Sequence, residues 1–482
     1  MTFIPEFYFL FFILFLFFYF ILFNYSSLFN YPIISDYVYF YQVLIIVNTI
    51  YLIGTELDVN IFFSIDLFQK SDFTRILEFF FFFLFFFFVI GIYNYNNLLN
   101  ISSGEFFLIV SICFFSINCI INTYNLMLFF IFLELISLCL YIMCSFNKRD
   151  IYSIEAGLKY FILGSFSSLL ILFGIIFLYA YTGFFFITDL KNILSVFIVF
   201  KSDFFFIGVL TSLIFIIVGL LFKIYSAPFH FWVADIYEGA PLSASFFFSI
   251  ISLVSIVYYF FFFYFSICIY FHFFFKVLLI IVSISSIFFG IFGTLVQRKI
   301  RRFIAYSSVT TIGYLLISLA YLDFDFFESS LSYFFFYVLN LACFFFFLLN
   351  ISLNKNIFFS NISDLSLLYN NDKILSILIS IFYFSIAGLP PFELFFKKVS
   401  FFFSFNLNIN FFFFFFFIVF TFFTYFYYIR IVKIIFYNES RNTNFVLNIS
   451  SIFIYAYVFL FFFFDVLNDF FLDFISLFFI SI

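Results

Sequence analysis

The sequence predicts an all-α membrane protein with about 14 transmembrane helices, built as two inverted repeats with two broken helices. Hydrophobic residues make up 67% of the 482-residue chain and charged residues only 9%. No water-soluble fold hides so much apolar surface, and at about 20 residues a span the length allows about 14 helices. Two proline-interrupted spans, near Pro228 and Pro391, indicate the repeats, because paired broken helices mark the two halves of inverted-repeat transporters.

The apolar segments divide into four predicted regions. Residues 1–100 hold three N-terminal spans, 101–264 hold spans four to eight as the first repeat, 265–436 hold spans nine to thirteen as the second repeat, and 437–482 hold a last span and a tail. The predicted spans lie near 7–24, 37–54, 77–94, 105–122, 126–146, 153–181, 204–228, 241–264, 265–290, 300–321, 329–351, 373–405, 410–436 and 447–467.

The first break is predicted near Ala227. Pro228 has no backbone N–H and disfavours helix at the residue before it, whereas Pro241 suits the start of the next helix. Lys223 stands just before the break in the apolar context Leu-Leu-Phe-Lys. A lysine at membrane depth costs about 3 kcal/mol, which makes it a functional candidate.

Basic loops predict the orientation. With 14 spans, the loops after the fifth, ninth, eleventh and thirteenth spans fall on one face, which is then the inner, basic face. The loop 298–302 is predicted to be solvated, and Asp235 and Glu238 are predicted to lie at the same face. The net charge of −5 is small for this length and says little about partners, but no basic patch for nucleic acid is present and no nucleic-acid partner is expected.

Ionisable residues inside apolar spans are the candidate site. Buried lysines and glutamates can change protonation near neutral pH, and a Glu–Lys pair can act as a proton switch. The primary candidates are Glu134, Lys159, Lys223 and Lys398, and the secondary candidates are Lys397, His230 and Glu393.

Each candidate also has a structural explanation. Lys159 lies near a span end and can extend to the basic face, and Glu134 can serve a structural ion pair. Lys398 can be a surface residue at a helix start. His230 and Trp232 can be anchors at the membrane interface.

Cofactor motifs are absent from the sequence. The six cysteines all lie in apolar segments without a CxxC pair, so neither an iron–sulfur cluster nor structural zinc is expected. No Gly-rich phosphate loop is present either, and we expect no cofactor on this chain. The 110 phenylalanines indicate an AT-rich gene, as is typical of organelle genomes.

Five motifs in order resemble the antiporter-like subunits of respiratory complex I, and the ending Asp-Ile-Tyr-x-Gly-Ala-Pro is similar to their subunit 2 (bacterial N subunit) branch. The first is Lys-Ile-Tyr-Ser-Ala-Pro-Phe-His-Phe-Trp-Val-Ala-Asp-Ile-Tyr-Glu-Gly-Ala-Pro. The others are Leu-Glu-Leu-Ile-Ser around Glu134, Glu-Ala-x-Leu-Lys-Tyr-Phe around Lys159, Gln-Arg-Lys-Ile-Arg-Arg-Phe-Ile-Ala-Tyr-Ser and Ala-Gly-Leu-Pro-Pro. The resemblance covers about residues 60–465.

The resemblance implies a proton channel of two inverted five-helix repeats. It implies that Glu134, Lys159, Lys223 and Lys398 carry protons, driven by electron transfer from NADH to ubiquinone in other subunits. NADH, FMN, iron–sulfur clusters and ubiquinone would then bind partner subunits. The expected surroundings are other membrane-arm subunits and lipids of the mitochondrial inner membrane.

The chain departs from the family pattern in two places. The family has a further lysine on the eighth helix, where this chain reads Ser-Phe-Phe-Phe-Ser-Ile-Ile-Ser-Leu-Val-Ser without charge. After Pro391 the family favours Gly-Phe-x-Gly-Lys, but this chain has Glu-Leu-Phe-Phe-Lys-Lys. Lys398 aligns with the family lysine, Lys397 lies beside it, and Glu393 is placed to pair with either.

Two other functions stay open at this point. One is a free-standing cation/proton antiporter, which shares the ancestral fold. The other is a structural membrane subunit that no longer pumps, for which the uncharged eighth helix is the best argument.

Overall fold

The structure, a computed structural model, describes most of the chain. The described residues are 4–23, 31–57, 64–65, 67–99, 104–148, 150–200, 203–354, 357–390, 392–406, 411–437 and 446–447.

Helices dominate these residues. In chain order the α-helices are α1 (Ile4–Phe23), α2 (Tyr31–Leu57), α3 (Asp72–Leu99), α4 (Gly104–Asn122), α5 (Leu126–Cys144), α6 (Ile151–Thr182), α7 (Ile187–Phe200), α8 (Asp203–Lys223), α9 (Val233–Gly239), α10 (Leu242–Phe246), α11 (Leu253–Ser266), α12 (His272–Val296), α13 (Ile300–Tyr321), α14 (Phe324–Asn350), α15 (Ser366–Asn371), α16 (Lys373–Ala387), α17 (Glu393–Asn406) and α18 (Phe411–Tyr437).

Short strands join some of the helices. β1 (Ser64–Ile65) and β2 (Phe68–Gln69) pair antiparallel, with Ile65 opposite Phe68. β3 (Ile351–Asn354) lies between β4 (Ile357–Phe358) and β5 (Val446–Leu447) in a second antiparallel sheet.

The described helices confirm a polytopic membrane protein. Ten are long and apolar enough to cross a membrane, and three shorter apolar helices, Pro5–Tyr19, Tyr39–Gly54 and Lys373–Ala387, add to them. The first thirteen predicted spans each correspond to a described helix or a pair of helices around a break. The predicted span 447–467 and the tail lie outside the described residues.

Two local features differ from the sequence prediction. α7 was not predicted, and at 14 residues it is about 21 Å long, which is too short for a bilayer core of about 30 Å. The first break also begins earlier than Ala227, because α8 ends at Lys223. Tyr225 follows with φ +50°, a left-handed conformation that ends the helix.

The chain forms two compact units. Unit 1 contains α1 to α8 together with Gly239–His272, and unit 2 contains Tyr225–Glu238 together with the helices from Phe273 onwards. The repeat boundaries at 264 and 436 stay predictions.

Close contact between α6 and α8 positions the end of α8 in unit 1. A Cβ on Gly174 of α6 would lie 2.8 Å from the Ser212 carbonyl oxygen and 2.6 Å from Ile216 Cγ1. Small residues allow membrane helices to approach this closely, where packing rather than the hydrophobic effect holds them together. The contact fixes the course of α8 towards Lys223.

Candidate functional site

Glu134 lies in the middle of α5 in unit 1. Asn125 caps this helix, and its side-chain oxygen accepts hydrogen bonds from the Met127 and Leu128 amides at 2.9 and 3.4 Å. One turn after Glu134, the Ser137 hydroxyl lies 3.2 Å from the Glu134 carboxylate and 2.9 Å from its backbone oxygen. Glu134 is partly exposed, and so its carboxylate is not sealed inside the chain.

Lys223 is the last residue of α8 and is buried, with 8% of its surface exposed. Its Nζ has no hydrogen-bond partner in the described part of the chain. The charge that favours its ammonium form is the carboxylate of Glu134. Glu134 and Lys223 form no ion pair in the described part of the chain, so a Glu–Lys proton switch stays a prediction.

Lys159 lies near the start of α6. Its Nζ is 2.7 Å from Glu155, one turn earlier, and the two side chains are 43% and 53% exposed. Such an i,i+4 ion pair contributes only about 0.3–0.5 kcal/mol when exposed. Within this chain Lys159 is thus at the protein surface, unlike Lys223.

The eighth span has serines where the resemblance leads one to expect a lysine. It consists of α10, a π-helical turn Phe247–Ser252 and α11, and π-turns often occur at functional positions. Between Leu242 and Ser255 its buried serines are Ser243, Ser245, Ser249, Ser252 and Ser255. Four of them donate to backbone carbonyls of their own span at 2.8–3.1 Å. Their oxygens can still accept a hydrogen bond, so the span is polar although it is uncharged.

His230 lies in the interruption between the seventh and eighth spans, in unit 2. It is 6% exposed and stacks on Phe289 at a ring distance of 5.3 Å. Burial lowers the pKa of His230, and a hydrogen bond to the Pro228 backbone acts in the opposite direction. A neutral, packed ring at this position is typical of a structural residue rather than of a charged relay group.

Ion pairs hold the rest of the interruption in unit 2. Arg302 Nη2 lies 3.0 Å from Asp235, and both Arg302 and Lys299 pair with Glu238. These side chains are between 18% and 49% exposed. The basic loop 298–302, which the sequence predicts to be solvated, thus also binds the acidic end of the interruption.

Lys398 lies on α17, after the second break, and is 5% exposed. Its Nζ donates a 2.6 Å hydrogen bond to the Ala387 carbonyl oxygen, at the C-terminal end of α16. The rings of Tyr425 and Tyr333 lie 4.8 and 5.8 Å from the same nitrogen. The helix C-terminus and the faces of the rings are both electron-rich, so they favour the ammonium form.

Gly388 makes this contact possible. It ends α16 in the left-handed conformation, with φ +78°, where a side chain is strained. A Cβ at this position would also lie 3.1 Å from Lys398 Cδ. The Ala-Gly-Leu-Pro-Pro motif therefore exposes a carbonyl and leaves room for a lysine.

The neighbouring charged residues have different surroundings. Lys397 is 7% exposed and its Nζ lies 5.8 Å from the Phe336 ring, and Glu328 is the carboxylate whose charge acts on it. Glu393 is half-buried in the first turn of α17, where the helix N-terminus favours a carboxylate. Pairing of Glu393 with either lysine stays a prediction.

The structure thus groups the candidates unit by unit. In unit 1, Lys223 lies within the electrostatic reach of Glu134. In unit 2, Lys398 donates a hydrogen bond to the Ala387 carbonyl oxygen. The sequence analysis did not identify Ala387, Tyr425 or Tyr333. Only the Gly-Leu-Pro-Pro break signalled that an exposed carbonyl lies nearby, and no local pattern marked the two tyrosines.

A family model described as "NADH:quinone oxidoreductase/Mrp antiporter, TM" matches residues 123–424. This match includes the primary candidates from Glu134 to Lys398.

Similar proteins agree with this match. The NADH-ubiquinone oxidoreductase chain 2 of Marchantia polymorpha is 30% identical over 69% of this chain and 67% of its own length. The NADH-quinone oxidoreductase subunit N of Pelagibacter ubique is 32% identical over 67% of both chains. A chain in the structure of respiratory complex I from Thermus thermophilus with bound aureothin shares the fold, at 20% identity and a TM-score of 0.71, over 89% of this chain and 90% of that chain. The predicted antiporter-like membrane fold is confirmed, and the chain belongs to the NADH:quinone oxidoreductase/Mrp antiporter transmembrane family.

Proposed function

We propose that this chain is a proton-translocating membrane-arm subunit of an NADH:ubiquinone oxidoreductase in the mitochondrial inner membrane. The observation that carries the proposal is a buried lysine beside each of two broken helices, Lys223 and Lys398. Buried lysines inside apolar spans are costly, and proton relays are a principal use of such residues. The chain 2 and subunit N relatives support the assignment to this enzyme complex.

In the proposed mechanism, Lys223 takes up and releases a proton as the charge of Glu134 changes. With Glu134 ionised, the ammonium of Lys223 is favoured. When Glu134 is neutralised, the buried ammonium loses its compensating charge and releases its proton. Lys159, which already pairs with Glu155, is the further lysine through which a change outside the chain can reach this pair.

Lys398 is proposed to be the second proton carrier. Its ammonium donates to the Ala387 carbonyl, and a neutral amine would hold the same oxygen less strongly, since charge-assisted hydrogen bonds are the stronger ones. Proton loss at Lys398 would thus loosen the contact between α16 and α17 in unit 2.

Redox chemistry is assigned to partner subunits in this proposal. NADH, FMN, iron–sulfur clusters and ubiquinone would bind other chains of the complex, and none would bind this one. The other membrane-arm subunits and lipids would cover the exposed apolar side chains of α6, which include Phe161, Ile162 and Leu169. Organelle encoding of the gene is part of the same proposal.

A native gel of the source membranes, stained for NADH dehydrogenase activity, tests the assignment. The chain is expected in the active band in stoichiometric amount, as measured by mass spectrometry. Migration as a small assembly without that activity would instead support a free-standing cation/proton antiporter, the other activity in the family description.

A structural, non-pumping subunit is the second candidate, favoured by the uncharged serine-lined eighth span. It predicts that the chain is in the active band but that its lysines can be replaced without changing the proton-to-electron ratio. The lysine variants in the Discussion separate this candidate from the relay.

A further inference from the structure

A buried ionic cluster lies in unit 1 among residues that have no role in the proposed relay. The Lys70 Nζ is 2.5 Å from Glu6 Oε1 and 3.4 Å from Glu78 Oε2. The side chain of Lys70 is completely buried, and those of Glu78 and Glu6 are 1% and 10% exposed. Three separate segments contribute to the cluster, namely α1, the residue after β2, and α3.

Two groups on α4 face the same cluster. The Asn122 side-chain nitrogen donates a 2.5 Å hydrogen bond to Glu78 Oε1, and the Cys119 thiol lies within the electrostatic reach of Glu6, Glu78 and Lys70. From α11, Tyr258 is within the electrostatic reach of Glu78. Asn122, Cys119 and Tyr258 are uncharged, so none of them compensates the negative charge of a carboxylate.

The charges of the cluster do not balance if both carboxylates are ionised. Lys70 compensates one negative charge and leaves the other, and an uncompensated buried charge costs several kcal/mol. Arg75 is a cation on α3, the helix of Glu78, and its Nη1 lies 3.4 Å from Asp72. One additional positive charge at the two carboxyl groups would balance the cluster.

The two carboxyl groups are placed to share that charge as a proton. Glu6 and Glu78 are close neighbours, because both carboxyl groups contact the same Lys70 Nζ. Ionised carboxylates only accept hydrogen bonds, so a proton on one of the two would allow it to donate to the other. Glu6 Oε2 is buried and has no hydrogen-bond donor in the described part of the chain, so this oxygen can carry the proton.

A cavity of about 260 Å³ adjoins the cluster. Glu6 and Asn122 are among its lining residues, but the surface that lines the cavity is almost entirely apolar. The remaining walls are apolar apart from Cys119, and they include the exposed Phe7 and Leu67. An apolar cavity of this kind can hold an apolar molecule, so it gives an apolar reagent a way towards Glu6.

The cluster lies at one end of the helices in unit 1. Glu6 and Glu78 are near the starts of α1 and α3, and Asn122 ends α4 just before α5 begins. The basic residue Lys148 follows the far end of α5. The cluster is therefore at the end opposite the α5–α6 loop.

We propose that Glu6, Lys70 and Glu78 form a proton-binding site that holds one proton between its two carboxyl groups. The proton is released to water as a carboxylic acid and water become a carboxylate and hydronium. This site is separate from Glu134, Lys223 and Lys398, and it stands even if the chain does not pump.

Dicyclohexylcarbodiimide tests this proposal, because the reagent modifies protonated carboxyl groups in apolar surroundings. The assembled complex in its native membranes is treated over a range of pH, and peptides are mapped by mass spectrometry. Modification is counted as an N-acylurea adduct on Glu6 or Glu78, or as an amide bond between either residue and Lys70. Labelling is expected at acidic pH and should fall about tenfold per pH unit above its midpoint.

Three variants sharpen the result. Glu78→Gln leaves Glu6 and Lys70 as a neutral pair that needs no proton, so labelling of Glu6 should disappear. Lys70→Met leaves two carboxylates without an ammonium, so labelling should persist to higher pH. Glu105→Gln, at the exposed start of α4, is the matched control and should change nothing. A native gel verifies that each variant assembles.

Two outcomes would overturn the proposal. If neither glutamate is labelled in the native chain at any pH, while Glu6 in Lys70→Met is labelled, then the reagent has access and the native pair is fully ionised. If sodium chloride at constant pH suppresses labelling but a rise in pH does not, then the site binds sodium instead of a proton. If Lys70→Met fails to assemble, Glu78→Gln decides the question. Loss of Glu6 labelling in that variant supports the shared proton, and persistent labelling overturns it.

Discussion

The two broken helices stabilise their lysines in different ways. Lys223 ends α8 before the first break, has no hydrogen-bond partner in the described part of the chain, and is favoured as an ammonium by the carboxylate of Glu134. Lys398 follows the second break, donates to the Ala387 carbonyl at 2.6 Å, and lies near two tyrosine rings. The ammonium form of Lys223 is favoured by a carboxylate that can be neutralised. The ammonium form of Lys398 is favoured by backbone and ring dipoles that cannot be neutralised.

This difference separates a switchable lysine from a fixed one. A carboxylate that gains or loses a proton changes the charge on its partner, whereas a helix C-terminus keeps its partial charge at every pH. Events that reach Glu134 should thus act on Lys223 directly. Lys398 should respond only when α16 and α17 move relative to each other within unit 2.

The largest effect is expected from Lys223→Met. Methionine fills a similar space but carries no proton, so proton translocation should fall to background while the complex still assembles. The measurement is the proton-to-electron ratio in sealed vesicles that oxidise NADH. Lys148→Met, in the exposed loop after α5, is the matched control and should keep the native ratio.

An unchanged ratio in Lys223→Met would favour the structural, non-pumping subunit. It would also mean that the interaction of Lys223 with Glu134 is not a proton switch.

Lys398→Met should have nearly as large an effect, and its neighbour supplies the control. Lys398 contacts the carbonyl at the helix end, whereas Lys397 lies beside the Phe336 ring, a cation–π contact worth about 0.5–1 kcal/mol. Lys397→Met should therefore lower stability slightly and leave translocation intact. The opposite ranking of the two variants would mean that the carbonyl contact does not mark the proton carrier.

Glu134→Gln should reduce translocation through Lys223 specifically. Removing the charge takes away the group that favours the Lys223 ammonium, and a loss of 1.4 kcal/mol already lowers a rate about tenfold. In a double-mutant cycle with Lys223→Met, the combined variant should be no worse than Lys223→Met alone. Additive effects of the two substitutions would show that the residues act independently.

Gly388→Ala should weaken the fixed lysine without removing its charge. The left-handed backbone at Gly388 costs about 1–2 kcal/mol for a residue with a Cβ, and that Cβ would approach Lys398 Cδ to 3.1 Å. We expect a lower thermal inactivation temperature together with a reduced proton-to-electron ratio. Gly54→Ala is the control, since a Cβ there has no atom within 4 Å.

The smallest effect is expected from Glu155→Gln. Its ion pair with Lys159 is about half exposed and contributes only about 0.3–0.5 kcal/mol to an isolated helix. Thermal stability should hardly change. If the proton-to-electron ratio falls markedly, then a neighbouring subunit covers this pair in the complex. Lys159 would then be a lysine whose charge depends on a carboxylate, as that of Lys223 does.

Much of the fold was predictable because hydropathy is a local property. Thirteen predicted spans correspond to described helices, and both proline-marked breaks interrupt helical segments. α7 was not predicted, since at 14 residues it is too short for a span and forms part of a connection. The early end of α8 at Lys223 was also missed, because the left-handed Tyr225 has no clear sequence signal.

The sequence by itself determined that the chain crosses the membrane many times, that two spans are broken, and which lysines and glutamates lie in apolar surroundings. Only the tertiary structure decided what each charge faces. Lys398 contacts a carbonyl, whereas Lys397 contacts a ring. Lys70, which falls between the predicted second and third spans, lies buried between two carboxylates. The physical reason is that the cost of a buried charge depends on its neighbours in space, and residues such as Glu6 and Lys70 are far apart in the chain.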